Sequence, residues 1–168
     1  TVKGSIPDTT GYAEYAYKIH DELTKGLDFV NNATGTACTD NKVAVKVAFT
    51  NATDAGKAPT EATLDAENNR KMSLDLSAWV KANQTNNKGK EFTVTYYAKV
   101  NKDAEVTNNN KASLEYGNNP NDTTTTTPSE AKTPTYPLDI LKKKAGIAGA
   151  TTEKLAGAKF KLYSNKTD

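Results

Sequence analysis

Runs in which apolar and other residues alternate with a period of two recur along this chain, and they constrain its fold more than any other feature. Tyr15, Tyr17 and Ile19 alternate with Ala16, Lys18 and His20. Val43, Val45, Val47 and Phe49 alternate with Ala44, Lys46 and Ala48. Met72, Leu74 and Leu76 follow the same rule, as do Phe92, Val94, Tyr96, Ala98 and Val100, with a shorter run at Ala112, Leu114 and Tyr116. Successive side chains of a strand point to opposite faces, so each run predicts a strand with one buried face. The segments between them carry Gly, Asn, Asp and Pro, the residues of turns. Many strands with few helices predict an all-β, Ig-like antiparallel β-sandwich, with Val43, Val45, Val47 and Phe49 inward. Helical signals are confined to Thr60–Asn69, with Glu61, Leu64 and Asp65, and to Ser77–Ala82, where Trp79 reads as a core plug.

The 168 residues suffice for one full domain and part of another. Residues 1–120 are expected to form the sandwich. A stretch at 121–135, with five consecutive threonines, Pro128 and Pro134, has no apolar period and reads as a linker or loop. Residues 136–168 then open a second module, with strands at Tyr136–Lys142 and Leu155–Tyr163. Two strands cannot bury a core alone. Thr1-Val2-Lys3 reads as the tail of a strand, and the last residues follow a strand directly. The expectation is therefore a fragment cut within domains, its first sandwich lacking the N-terminal strand.

Composition limits the function classes. The 22 basic and 20 acidic residues are interleaved, so no patch marks a nucleic-acid or membrane partner. No apolar run has the length of a membrane span. Cys38 is the one cysteine and His20 the one histidine. Nothing links the two, so Cys38 reads as an incidental free thiol. No metal-ligand spacing or phosphate loop is present, and no cofactor is expected. A glycosidase needs paired carboxylates on a concave site, but Asp21 and Glu22 are neighbours that face opposite ways on a strand. Asp- and Asn-rich loops offer oxygens to Ca²⁺ without EF-hand spacing.

Three segments carry a resemblance. Ile6-Pro7-Asp8, Tyr17 to Leu23 and Gly26 to Phe29 form the first, and Phe92 to Tyr96 with Asn108 to Tyr116 the second. Together they resemble the isopeptide-forming D2-type (CnaA-like) domain of Gram-positive sortase-assembled fimbrial and pilin subunits. The third, Leu138 to Lys142 with Leu155 to Phe160, resembles the opening of a CnaB-like (SpaA-type) domain. The resemblance implies a spontaneous Lys–Asn bond promoted by a buried carboxyl. Burial disfavours both ammonium and carboxylate, leaving a nucleophilic amine and an acid that polarises the amide. By position, Asp21 matches the promoting acid and Asn110 the acceptor, with the partner Lys expected upstream of Thr1 and not at Lys3. Lys142 matches the bond-forming Lys of the second domain, whose partners are expected beyond Asp168. The competing readings are a turn or cap for Asp21, a loop asparagine for Asn110 and a solvated lysine for Lys142. Tyr136-Pro137 is followed by Leu138 where the pilin polymerisation motif carries Lys.

The expected function is a structural module of a cell-wall-anchored pilus or surface protein, extracellular, stabilised by isopeptide bonds and supporting adhesion. Its partners would be other pilin subunits or missing segments of the same protein. The alternative is a ligand-binding adhesin module for host glycan or matrix protein, with Tyr12, Tyr15 and Tyr97 as candidate surface residues.

Overall fold

A computed structural model of the chain describes residues 1–50, 57–136, 140–142, 156–157 and 159–161. Two compact units divide at the Thr135/Tyr136 boundary. The first contains every strand and helix described. In chain order these are β1 (Val2–Ser5), β2 (Ala16–Leu23), β3 (Leu27–Val30), β4 (Lys42–Ala44), β5 (Lys46–Phe49), β6 (Glu61–Leu64) and β7 (Lys71–Asp75). Then come α1 (Ser77–Asn83), β8 (Glu91–Thr95), β9 (Tyr97–Val100), β10 (Thr107–Gly117), β11 (Thr124–Thr125) and β12 (Ser129–Pro134).

The architecture is the all-β antiparallel sandwich that the alternation predicts. One sheet runs β1-β8-β5, and a larger one runs β11-β10-β2-β7-β6-β4. β3 and β9 form a ribbon of their own. β2 is central, with Ile19 paired to Leu114 of β10 on one side and Leu74 of β7 on the other. Its inner face carries Tyr17, Ile19, Asp21 and Leu23, all buried. Three apolar side chains and one carboxyl therefore share the face that packs on the core.

Val43, Val45, Val47 and Phe49 are all buried, as expected of an inward run. The run nevertheless breaks at Val45, because β4 pairs with β6 in the large sheet and β5 with β8 in the small one. A single stretch of sequence thus crosses between layers while keeping one face inside. Trp79 of α1 lies in this core, stacked on Phe49 at 5.3 Å and edge-on to Phe92 at 5.0 Å. Truncating Phe92, fully buried, would cost ~3–5 kcal/mol by the usual sum of lost transfer energy and cavity.

Three expectations need correction. The helical turn expected within Thr60–Asn69 is instead β6, whose residues pair with β4 and β7; the two neighbours override a weak local preference. In the run Phe92–Val100 only Phe92 and Val94 are buried, because the chain leaves the small sheet at Tyr96 and continues as β9 with all four residues exposed. The segment 121–135 is not a linker: β11 and β12 within it pair with opposite halves of one edge of β10. The second unit is described only at Tyr136, 140–142, 156–157 and 159–161, none of them in a strand. Most of the strand residues expected there lie outside the described residues, while Lys142 is described and exposed.

Candidate functional site

Asp21 is the only buried carboxylate among the described residues, with 2% of its surface exposed. It sits in the middle of β2, opposite Ala112 of β10 and Met72 of β7. Asn110 stands two residues before Ala112 on the same face of β10, which makes it the diagonal neighbour of Asp21 and within reach of its carboxyl. Its amide Nδ2 donates to Asp21 Oδ2 over 2.8 Å. The same oxygen accepts a hydrogen bond from the Tyr96 hydroxyl, which comes from the junction between β8 and β9. The other carboxyl oxygen, Asp21 Oδ1, is buried and has no hydrogen-bond partner.

This arrangement sets the electrostatics. Burial raises the pKa of Asp21, and the bonds from Tyr96 and Asn110 pull the other way without cancelling it. Among the described residues no lysine or arginine is hydrogen-bonded to the carboxyl, and the distant chain N-terminus adds only a minor downward pull. Tyr96 is pushed far up, first by burial and then by the neighbouring Asp21 charge, so it stays a donor across the whole accessible pH range. A buried polar atom without a partner costs ~1–3 kcal/mol. The unpaired Oδ1 is a cost that the surrounding core does not offset locally.

Asn110 also lines a groove of about 370 Å³ on the open side of the sandwich. Val2 and Gly4 of β1 form one wall, Ile19 and Leu114 contribute apolar surface, and Ala131 of β12 lies on the far side. Among the described residues β1 pairs only with β8, so its other edge borders the groove without a strand partner, although the Ser5 carbonyl there accepts from the Tyr17 hydroxyl. At Gly4 a Cβ would come within 2.7 Å of the Phe92 ring, so the close approach of strand to core there needs glycine.

The structure thus brings Asp21 and Asn110 together and adds Tyr96, which the sequence reading placed only as a strand residue. Lys142 belongs to the second unit. Lys3 is exposed on β1, and among the described residues no lysine is buried. His20 bonds Glu115 at 2.7 Å, whereas the Cys38 thiol contacts the Phe29 carbonyl and Asn31 Oδ1, so the two are separately engaged. Burial pushes the Cys38 thiol up, away from reactivity. Asp21 and Glu22 face opposite ways, one buried and one exposed. Tyr12 and Tyr15 stack at 6.1 Å, with Tyr12 exposed and Tyr15 half-buried, and Tyr97 is exposed. No described helix is long and apolar enough to cross a membrane.

No protein-family model matches the chain, and neither does any curated protein. Solved structures do. The chain is similar to the pilus backbone RrgB of Streptococcus pneumoniae at 30% identity, over 70% of this chain and 23% of that one, with a TM-score of 0.45. It is similar to domains D2 and D3 of the major pilin SpaD of Corynebacterium diphtheriae at 18% identity, over 79% and 44%, with a TM-score of 0.48. A collagen-binding domain from a Staphylococcus aureus adhesin matches at 10% identity, over 74% and 79%, with a TM-score of 0.42. The chain spans less than half the length of the two pilus proteins.

Proposed function

We propose that the first unit is a structural module of an extracellular pilus or surface protein, and that Asp21 and Asn110 form a self-processing cross-link site. The observation that carries this reading is the buried Asp21 carboxyl, with one oxygen on the Asn110 amide and the other unpartnered. A buried carboxyl oxygen without a partner calls for an explanation, and an incoming donor supplies one. The missing partner is an amine: a lysine entering along the groove, its strand paired to the free edge of β1. No described lysine is buried, so the donor comes from a segment outside the described residues.

The chemistry balances with Asp21 acting as a bifunctional acid. Burial favours its neutral form and likewise deprotonates the incoming lysine. The free amine attacks Cγ of Asn110 and gives a proton to Oδ1. Asp21 delivers its own proton from Oδ2 to Nδ2, 2.8 Å away, which departs as ammonia. One C–N bond forms, one breaks, and Asp21 ends protonated on the opposite oxygen. The product is a secondary amide that ties the groove strand to β10 and limits the unfolded chain much as a disulfide does. Such a bond suits a secreted shaft whose sequence here has one cysteine.

Intact mass of the mature full-length protein tests this. The wild type should weigh less than its sequence by one ammonia for this site, and Asp21→Ala and Asn110→Ala should each regain that mass. A wild-type mass that already equals the sequence mass would overturn the assignment.

A further inference from the structure

Tyr96 enters the sequence pattern only as a strand residue, yet its hydroxyl reaches the Asp21 carboxyl on the other sheet. It stands where β8 ends in the small sheet and β9 begins in a separate ribbon. In phase with buried Phe92 and Val94, its side chain points inward and reaches β2, 75 positions away in sequence. Its ring packs at 6.1 Å against Phe29 of β3, tilted by 56°, and this contact fixes the direction of the hydroxyl. The hydroxyl donates to Asp21 Oδ2, the oxygen already engaged by Asn110 Nδ2, and leaves Oδ1 bare.

We propose that Tyr96 is a positioning residue that assigns the two oxygens of Asp21 their separate tasks, Oδ2 toward the leaving amide nitrogen and Oδ1 toward the incoming amine. The inference rests on the cross-link reading above. Two donors on one oxygen fix the rotation of the carboxyl about its Cβ–Cγ bond. Without the tyrosine hydroxyl, only the Asn110 amide holds that rotation, and the amide is itself the reacting group. A donor on Oδ2 also makes the proton there easier to release, since it stabilises the charge left behind. In the same direction, the Tyr96 bond opposes the upward push of burial on Asp21. The Tyr96 hydroxyl also lies within hydrogen-bond reach of the Asn110 side-chain amide, so it positions the acid and the amide together.

Tyr96→Phe removes the hydroxyl and keeps the ring. The full-length protein is made by cell-free synthesis and moved into buffers of graded pH, and the fraction that has lost ammonia is followed by intact mass over time. Tyr96→Phe should slow the loss by about tenfold, the equivalent of one ordinary hydrogen bond. The alkaline limit of its pH–rate profile should move to higher pH, because Asp21 then holds its proton more tightly. Phe29→Leu, which loosens the packing of the ring and leaves the hydroxyl, serves as the structural control. It should lower the melting temperature and leave the pH profile in place. If the wild type loses ammonia and Tyr96→Phe does so at the same rate and with the same profile, Tyr96 has no such role although the cross-link stands. If Phe29→Leu shifts the profile as far as Tyr96→Phe does, the effect is one of packing and the assignment also fails. A wild type that never loses ammonia removes the cross-link itself, a different outcome from either.

Discussion

Asn108 and Asn110 project from the same face of β10, two residues apart, into opposite circumstances. Asn108 is 1% exposed and fully engaged: its Oδ1 accepts from the Glu105 amide, and its Nδ2 donates to the Glu105 carbonyl at 2.8 Å and to Thr135 Oγ1. It closes the turn before β10 and secures the end of β12. Gly26 leaves room for it, since a Cβ there would lie 2.0 Å from Asn108 Oδ1. Asn110 is half-buried, gives its amide to a carboxyl that is itself incompletely paired, and borders a groove. An asparagine held on both amide atoms is a strut. On the reading proposed above, an asparagine beside an unpartnered buried acid is the reactant. The two are indistinguishable as letters in Asn108-Asn109-Asn110, and only their partners separate them.

The largest effect that would sharpen this contrast is Asn110→Ala in the mature protein. It should abolish the cross-link and cost ~2–5 kcal/mol in denaturant unfolding, the range of a lost disulfide. Asn108→Ala should cost less, ~1–3 kcal/mol, by leaving the Glu105 carbonyl and amide unpaired, while the ammonia is still lost. If the two variants exchanged these outcomes, the contrast would be wrong.

Asp21→Asn separates chemistry from stability. It should stop ammonia loss yet raise the melting temperature of the uncross-linked fold at neutral pH. The sign follows from the raised pKa of Asp21. The folded state binds its proton more tightly than the unfolded state, so wild-type stability from this group is fullest below its ordinary value of 3.8 and is lost as pH rises through the folded value. The advantage of Asp21→Asn should therefore be seen at neutral pH and disappear by about pH 3, as thermal melts across that range would register. Each ~1 kcal/mol corresponds to a shift of about 2–8 °C in a domain of this size. The smallest effect is expected at Lys111, adjacent to Asn110 but paired on the surface with Glu130 at 3.3 Å. Lys111→Ala should change stability by no more than ~1 kcal/mol and leave the cross-link intact.

Much of the fold is legible in the sequence because its inner strands obey strict alternation. Met72, Leu74 and Leu76 announce their burial directly. β12 is not legible, because all six of its residues are exposed and it is held by backbone pairing to β10 and by surface contacts of Glu130 with Lys111 and Asn109. No side-chain period records such a strand. The failure in Phe92–Val100 has another cause. Its alternation continues in the letters after Tyr96, but the backbone changes sheet there, and Ala98 and Val100 emerge into solvent. Tyr96 keeps the inward phase of Phe92 and Val94 up to that crossing, and its hydroxyl reaches Asp21. Periodicity gives the face of Tyr96 but not its partner, which a long-range sheet arrangement sets. Asp21 stands out in the sequence as a carboxylate in an apolar phase, between Ile19 and Leu23, and this is the local mark of a buried acid.

The most direct test is a tryptic peptide map of the mature full-length protein. Cleavage after Lys102 and Lys111 isolates residues 103–111 with Asn110 inside. The account predicts that this peptide is recovered joined through the Asn110 side chain to a second peptide containing a lysine, at the summed mass less one ammonia. Recovery of residues 103–111 as a free peptide of unmodified mass, from protein isolated in its mature form, would contradict it.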